Sequence, residues 1–248
     1  MSREKAYLER VGLLVGEDVL ARLGEVRVLL FGAGGVGSWC AEGLVRSGVR
    51  HLTLVDADVI SESNVGRQLM ATPRTVGQVK VEALRDRLLE VAPDAEITVL
   101  QKIFSAETVD EFAMEGYDYI LDAIDSLKDK GELILRATRT PAKFFCSMGA
   151  ACKVDPTQVK VGEFWNVRGC PLGAALRKKF KQNHTWPGRK FRCVYDEEVL
   201  PNRGGEGKAE TDLFNKAQIN GALVHITAML GMTLAGLVIE DVYHQIVG

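Results

Sequence analysis

The sequence predicts an α/β protein built on a doubly wound, mostly parallel sheet, and three observations carry that prediction. Short apolar runs bounded by charge alternate with helical stretches through residues 1–150. A glycine-rich turn, Gly32-Ala33-Gly34-Gly35-Val36-Gly37, follows the first such run at once and opens a helix. Chemistry-bearing residues then recur just beyond the apolar runs, at Gly32, Asp56, Asp125 and Ser147. Open α/β sheets bind ligands there, so one site can collect all four.

Taken in order, Glu4 to Leu23 reads as two helical pieces broken at Gly16, and Val26 to Phe31 as the first buried strand. Gly32 permits the tight turn, Gly34 and Gly35 bring backbone up to a phosphate, and Gly37 lets the helix Ser38 to Ser47 pack closely on the strand. His51 to Val55 is the second strand, and Asp56 follows about 20 residues beyond the last glycine, where a carboxylate accepts both ribose hydroxyls. A polar loop from Ile60 to Pro73 leads to a helix over Val76 to Val91, which Pro93 ends. Glu96 to Gln101, Tyr117 to Leu121 and Lys143 to Ser147 read as strands, with helices over Ala106 to Met114 and Leu127 to Arg139. Past Met148 the pattern loosens into a C-terminal extension of short strands and helices. It holds one or two strands in Lys153 to Glu163, a helix from Pro171 to Lys181, a strand from Lys190 to Tyr195 and a polar loop from Asn202 to Asp212. Residues 1–150 thus read as a Rossmann-like nucleotide-binding unit with N-terminal helices, and residues 151–248 as a substrate or dimerisation region of the same compact body.

Composition narrows the class. A 46% hydrophobic and 26% charged chain of 248 residues can bury a sizeable core as a soluble protein. A net charge of −2 argues against bulk binding of nucleic acid but leaves room for a local basic patch. Arg177, Lys178, Lys179, Lys181, Arg189, Lys190 and Arg192 flank Trp186, and basic residues interleaved with aromatics suit phosphate contacts and base stacking in an RNA loop. The plain alternative is a solvated helix face. The cysteines number 5, an odd count with no CxxC pair, which gives neither a zinc ribbon nor a disulfide framework and fits a reducing, cytoplasmic compartment. Gly221 to Ile239 is almost uncharged and long enough to cross a bilayer, but Gly231 and Gly236 weaken it as a single helix. It reads as a buried core or interface segment, so no membrane span is expected.

The loop after the second strand separates the nucleotide classes. Asp56, Asp58, Asn64, Arg67 and Gln68 gather there, Lys80 opens the next helix, and Asp122, Asp125 and Ser126 close the fourth strand. A nicotinamide dehydrogenase has no need of these cations, whereas an enzyme that splits a triphosphate must hold the β and γ phosphates and the leaving pyrophosphate. Asp125 suits Mg²⁺, which takes one or two carboxylates plus phosphate oxygens.

The glycine turn, Asp56-Ala57-Asp58, Ser63-Asn64-Val65-Gly66-Arg67-Gln68, Lys80 and Asp122-Ala123-Ile124-Asp125-Ser126 together resemble the ubiquitin-activating-enzyme-like (ThiF/MoeB/HesA-type) adenylyltransferases. Glu9-Arg10-Val11-Gly12, Ser147-Met148-Gly149-Ala150, Asp155-Pro156-Thr157, Cys170-Pro171-Leu172 and Cys193-Val194-Tyr195 are similar to the tRNA threonylcarbamoyladenosine dehydratase branch. The resemblance implies adenylation of a tRNA-borne carboxylate with ATP and Mg²⁺, then cyclisation with loss of water. It places Asp56 on the ribose, Asn64, Arg67 and Lys80 on the phosphates and Asp125 on the metal, with Arg10 reaching across a homodimer. Where some members carry a cysteine before the C-terminal segment, this chain has Lys216. Two other readings keep the same fold. One is activation of the C-terminus of a ubiquitin-like or sulfur-carrier protein, with a sulfur-transfer or carrier partner; the other is a non-catalytic nucleotide-binding adaptor.

Overall fold

A computed structural model of the chain describes residues 3–203 and 220–248. Lys216 and most of the loop expected over Asn202 to Asp212 lie outside them. After a 3₁₀ turn come α1 (Glu9–Val15), α2 (Glu17–Glu25), β1 (Arg27–Phe31), α3 (Gly35–Arg46), β2 (His51–Val55), α4 (Lys80–Val91), β3 (Glu96–Leu100) and β4 (Tyr119–Asp122). Then follow α5 (Leu127–Ala137), β5 (Lys143–Ser147), β6 (Val159–Glu163), α6 (Pro171–Gln182), β7 (Arg192–Asp196) and α7 (Val224–Val247). All seven strands form one sheet in the order β3-β2-β1-β4-β5-β7-β6, parallel except for β6 against β7. The chain moves one way from β1 to β2 and the other way to β4, so the crevice of the doubly wound sheet opens between the loops that follow β1 and β4.

Alternate strand residues feed two cores. Val28, Leu30, Leu54 and Leu121 face α3, α4 and α7, while Leu29, Phe31, Ile120 and Phe144 face α5, α6 and the Phe104–Phe112 cluster. Phe31, Phe104 and Phe112 meet edge-on or tilted at 5.0–5.6 Å.

Several elements differ from the sequence expectation. The helix expected over Val76–Val91 starts only at Lys80, because Gly77 takes φ +87° and Val59 bridges Val79 antiparallel. Ala106–Met114 resolves into 3₁₀ turns with Ala113 left-handed. The C-terminal helix is one unbroken span of 24 residues despite Gly231 and Gly236. A Cβ on Gly231 would lie 2.4 Å from the Val36 carbonyl oxygen, and one on Gly43 of α3 would lie 3.0 Å from the Met232 sulfur. The glycines let α3 and α7 approach closely, and close packing more than offsets their low helix propensity. By length and composition α7 could cross a membrane, yet Ile226, Leu230, Leu234, Val238 and Val242 are fully buried against the rest of the chain.

Candidate nucleotide site

Backbone close approach builds the floor of the site. Gly32 has φ +92°, and a Cβ there would sit 2.8 Å from the Ala123 carbonyl oxygen. A Cβ on Gly37 would overlap the Gly32 carbonyl at 1.7 Å. The glycine turn, the loop after β4 and the first turn of α3 are therefore in mutual contact, which only glycine at both positions permits. Gly34 caps α3 with no side-chain hydrogen bond, leaving the first-turn amides to an incoming anion. Gly35 sets its backbone against Thr227 of α7.

Asp56, at the end of β2, accepts from the amides of Ala33 at 2.7 Å and of Asp58 at 2.9 Å. One carboxylate thus ties the glycine turn to the loop after β2. Burial pushes its carboxyl above the ordinary range, opposed by the Lys80 ammonium and the two amides, with Asp58 adding to the rise. Lys80 is mostly buried, and its Nζ donates to Asp58 at 2.7 Å. Asn64 is buried in a capping box with Ser61, and Arg67 Nη1 donates to the Ser63 carbonyl. Gln68 is 5% exposed, stands over Gly34, and its Oε1 is buried without a partner. Asp125 is exposed beyond β4.

Two expected ligand contacts have other work. Asp122 is fully buried: its Oδ1 accepts from Lys130 Nζ at 2.9 Å and from the Ile124 amide at 2.9 Å. Lys130 Nζ also donates to the Ile124 carbonyl at 2.8 Å, so the pair grips both polar backbone groups of the residue before Asp125. Ser126 caps α5, exchanging hydrogen bonds with Asp129. Asp122 and Ser126 thus hold the loop's shape through these bonds. Arg10 is exposed on α1, beside Leu13 and Leu14.

Sequence reasoning missed Lys130, Ser38, Trp39 and Thr227. Ser38 Oγ accepts from the Leu69 amide, while Trp39 Nε1 and Thr227 Oγ1 donate to the Arg67 carbonyl, and together they fix the loop that carries Arg67 and Gln68. The long-range contacts left no local trace. Lys130 did leave one, since it shares the apolar stripe of α5 with Leu133, Ile134 and Ala137.

The basic residues lie elsewhere. Arg189 donates to the Thr140 and Ala142 carbonyls, just before β5, so its loop sits at the amino ends of the strands, opposite the glycine turn. Arg177 is held by the Phe164 carbonyl and ring, and Arg192 by Glu240. Lys178, Lys181 and Lys190 are exposed, and Lys179 is half-buried beside Gly131.

An uncapped helix start behind a glycine turn, with a ribose-type carboxylate, cations and a hard carboxylate at neighbouring strand ends, defines a nucleotide-binding α/β protein suited to a triphosphate. The ThiF family model matches residues 8–245, and the chain belongs to the ThiF family. It is 33% identical to the tRNA threonylcarbamoyladenosine dehydratase of Haemophilus influenzae over 97% of this chain and 95% of that one. The Bacillus subtilis dehydratase is 36% identical over 94% and 93%. The crystal structure of the E. coli tRNA N6-threonylcarbamoyladenosine dehydratase in complex with ATP superposes with a TM-score of 0.86 at 28% identity, covering 97% of this chain and 95% of that one.

Proposed function

We propose that the chain is an ATP-dependent dehydratase acting on threonylcarbamoyl-adenosine in tRNA, in a cytoplasmic setting. The carboxylate of the modified adenosine attacks the α-phosphate of ATP and releases pyrophosphate. The carbamoyl group then closes on the activated carbonyl and expels AMP, leaving a cyclic product one water lighter. Asp56 receives the ribose hydroxyls, and the α3 amides, with Asn64, Arg67, Gln68 and Lys80, receive the phosphates. Asp125 offers a hard carboxylate of the kind that Mg²⁺ takes beside phosphate oxygens. Bound there, Mg²⁺ would neutralise charge on the departing pyrophosphate. Because Lys80 already pairs with Asp58, the triphosphate recruits an ammonium that is desolvated and pre-aimed.

The observation that carries this reading is the convergence of these groups at one end of the sheet, in a chain alike over nearly its whole length to dehydratases. The active unit is a homodimer in which Arg10 serves the partner's site. Leu13 and Leu14, 82% and 83% exposed, form the apolar pair beside Arg10 that a second copy would cover. The tRNA lies along the exposed lysines of α6 and the loop that follows it. Mass spectrometry of nucleosides from threonylcarbamoyl-modified tRNA, incubated with the protein, ATP and Mg²⁺, tests the reaction. The expected result is loss of one water from the modified adenosine, matched mole for mole by AMP. AMP without that loss would move the substrate elsewhere.

A further inference from the structure

We infer that the open surface cavity lined by Trp165 and Trp186 is a subsite for an unstacked nucleotide of the RNA substrate that flanks the reacting one. It deepens the tRNA reading above and rests on it. The cavity, about 380 Å³, is lined by Trp165, Lys181, Trp186, Pro187, Arg189 and Lys190, and that volume suits a small planar ligand. The two indoles pack at 5.5 Å and 45°, and Trp186 leaves 48% of its surface in water. An exposed indole next to lysines offers a π-face to a base and ammonium groups to its phosphate.

Charge is segregated to match. Residues 164–195 contain eight Lys or Arg and no Asp or Glu, in a chain of net charge −2. A polyanion is the partner that such a stretch selects.

The platform is rigid. α6 ends in a Schellman motif: His184 adopts φ +50°, the Thr185 amide donates to the Phe180 carbonyl at 3.0 Å, and the His184 amide donates to the Lys181 carbonyl. Arg139 donates to the Trp186 carbonyl at 2.9 Å, and the Gly188 amide donates to Thr138 Oγ1 at 2.8 Å. Arg189 is fastened to the carbonyls of Thr140 and Ala142. The backbone is thus clamped on both sides of Trp186 while its ring stays half exposed, which lowers the ordering needed when a base stacks.

Position says which nucleotide it is. Cys170 caps the start of α6, its sulfur near Gly149 beyond the carboxyl end of β5, and the helix runs about 16 Å from there to Lys181 at the cavity. The cavity therefore serves a residue displaced from the modified adenosine, and the lysines of α6 cluster at the cavity end of the helix.

Fluorescence anisotropy of labelled tRNA against the full chain tests this, with the ATP-induced rise in melting temperature as the check on folding. Trp186→Ala is expected to weaken tRNA binding about tenfold, and Trp186→Phe to restore most of it because a stacking face returns. Lys181→Ala and Lys190→Ala should each lower the salt slope of binding by about one. Binding that is unchanged in folded Trp186→Ala and in both lysine variants overturns the subsite while leaving tRNA as the substrate. A folded wild-type chain that adenylates but binds no tRNA overturns the subsite and the tRNA reading together, and points to an acidic protein instead.

Discussion

Lys80 donates to Asp58 across 2.7 Å, so a triphosphate that recruits this ammonium must share or break an ion pair that is already largely out of water. The binding energy of the phosphates offsets that loss only if the cation is held where charge develops. Lys80→Ala, and equally Arg67→Ala, is expected to lower ATP–pyrophosphate exchange by about 10²-fold or more, as for loss of one charge-stabilising donor. Undiminished exchange in both variants would remove these residues from the phosphate site. Asp56 adds a pH dependence with a definite sign. Burial raises its folded-state value above that of an unfolded Asp, so the folded chain favours the protonated form. This group's contribution to stability therefore declines as pH rises past about 4 and levels off once it is ionised. Ribose hydroxyls need the ionised acceptor, so ATP affinity should fall on acidification with a midpoint above the ordinary carboxylate value. Titration calorimetry across pH 4–7 checks it, since a midpoint at or below about 4 contradicts the burial argument.

At the scale of elements, α3 and α7 make opposite demands on two glycines of one helix. Gly231 has backbone of α3 where its Cβ would be, whereas a Cβ on Gly236 meets nothing within 4 Å. Gly231→Ala should therefore destabilise the chain by about 1–3 kcal/mol through overpacking, while Gly236→Ala should stabilise it by about 0.5–1 kcal/mol through helix propensity. Calorimetric melting separates them, and equal shifts would refute the packing role. The same pair explains what the sequence could and could not convey. Apolar runs are local signals, so β1, β2 and β5 fall where periodicity places them, whereas α3 begins at Gly35, inside the glycine turn and three residues before the expected Ser38. Gly231 read as a weakness because its reason, the backbone of residues 36–40, lies nearly 200 residues away in sequence. The late start of α4 has the same kind of cause, a bridge between Val59 and Val79 that overrides helix propensity. In the proposed site, residue types and spacing nominate Asp56, Arg67 and Lys80. They do not reveal that Asp122 turns inward, because its partners, the buried Lys130, the Ile124 amide and Cys146, meet it only in the folded chain.

For the whole molecule, the placement of Arg10 is the question with the widest reach. It stands exposed on α1, next to Leu13 and Leu14, whose side chains lie open to solvent. Isolated apolar side chains on a surface need no explanation, but two neighbours above 80% exposure beside a cation suit a face that a second copy covers. In an isologous dimer each such face serves the other subunit's site, so the two sites exchange arginines symmetrically. That arrangement makes a prediction a monomer cannot imitate. Arg10→Ala and Lys80→Ala should each be nearly inactive alone. When the two are unfolded together and reassembled, half of the dimers are mixed by random pairing, and in each of these one site regains both an intact Lys80 and an intact partner arginine. Activity should return to about a quarter of the wild-type level, the other site of the mixed dimer having lost both groups. If Arg10 acted within its own subunit, the mixture would stay as inactive as its components. Recovery of exchange activity, read against the dimer fraction by light scattering, therefore decides between an arginine given across the interface and one that only decorates α1.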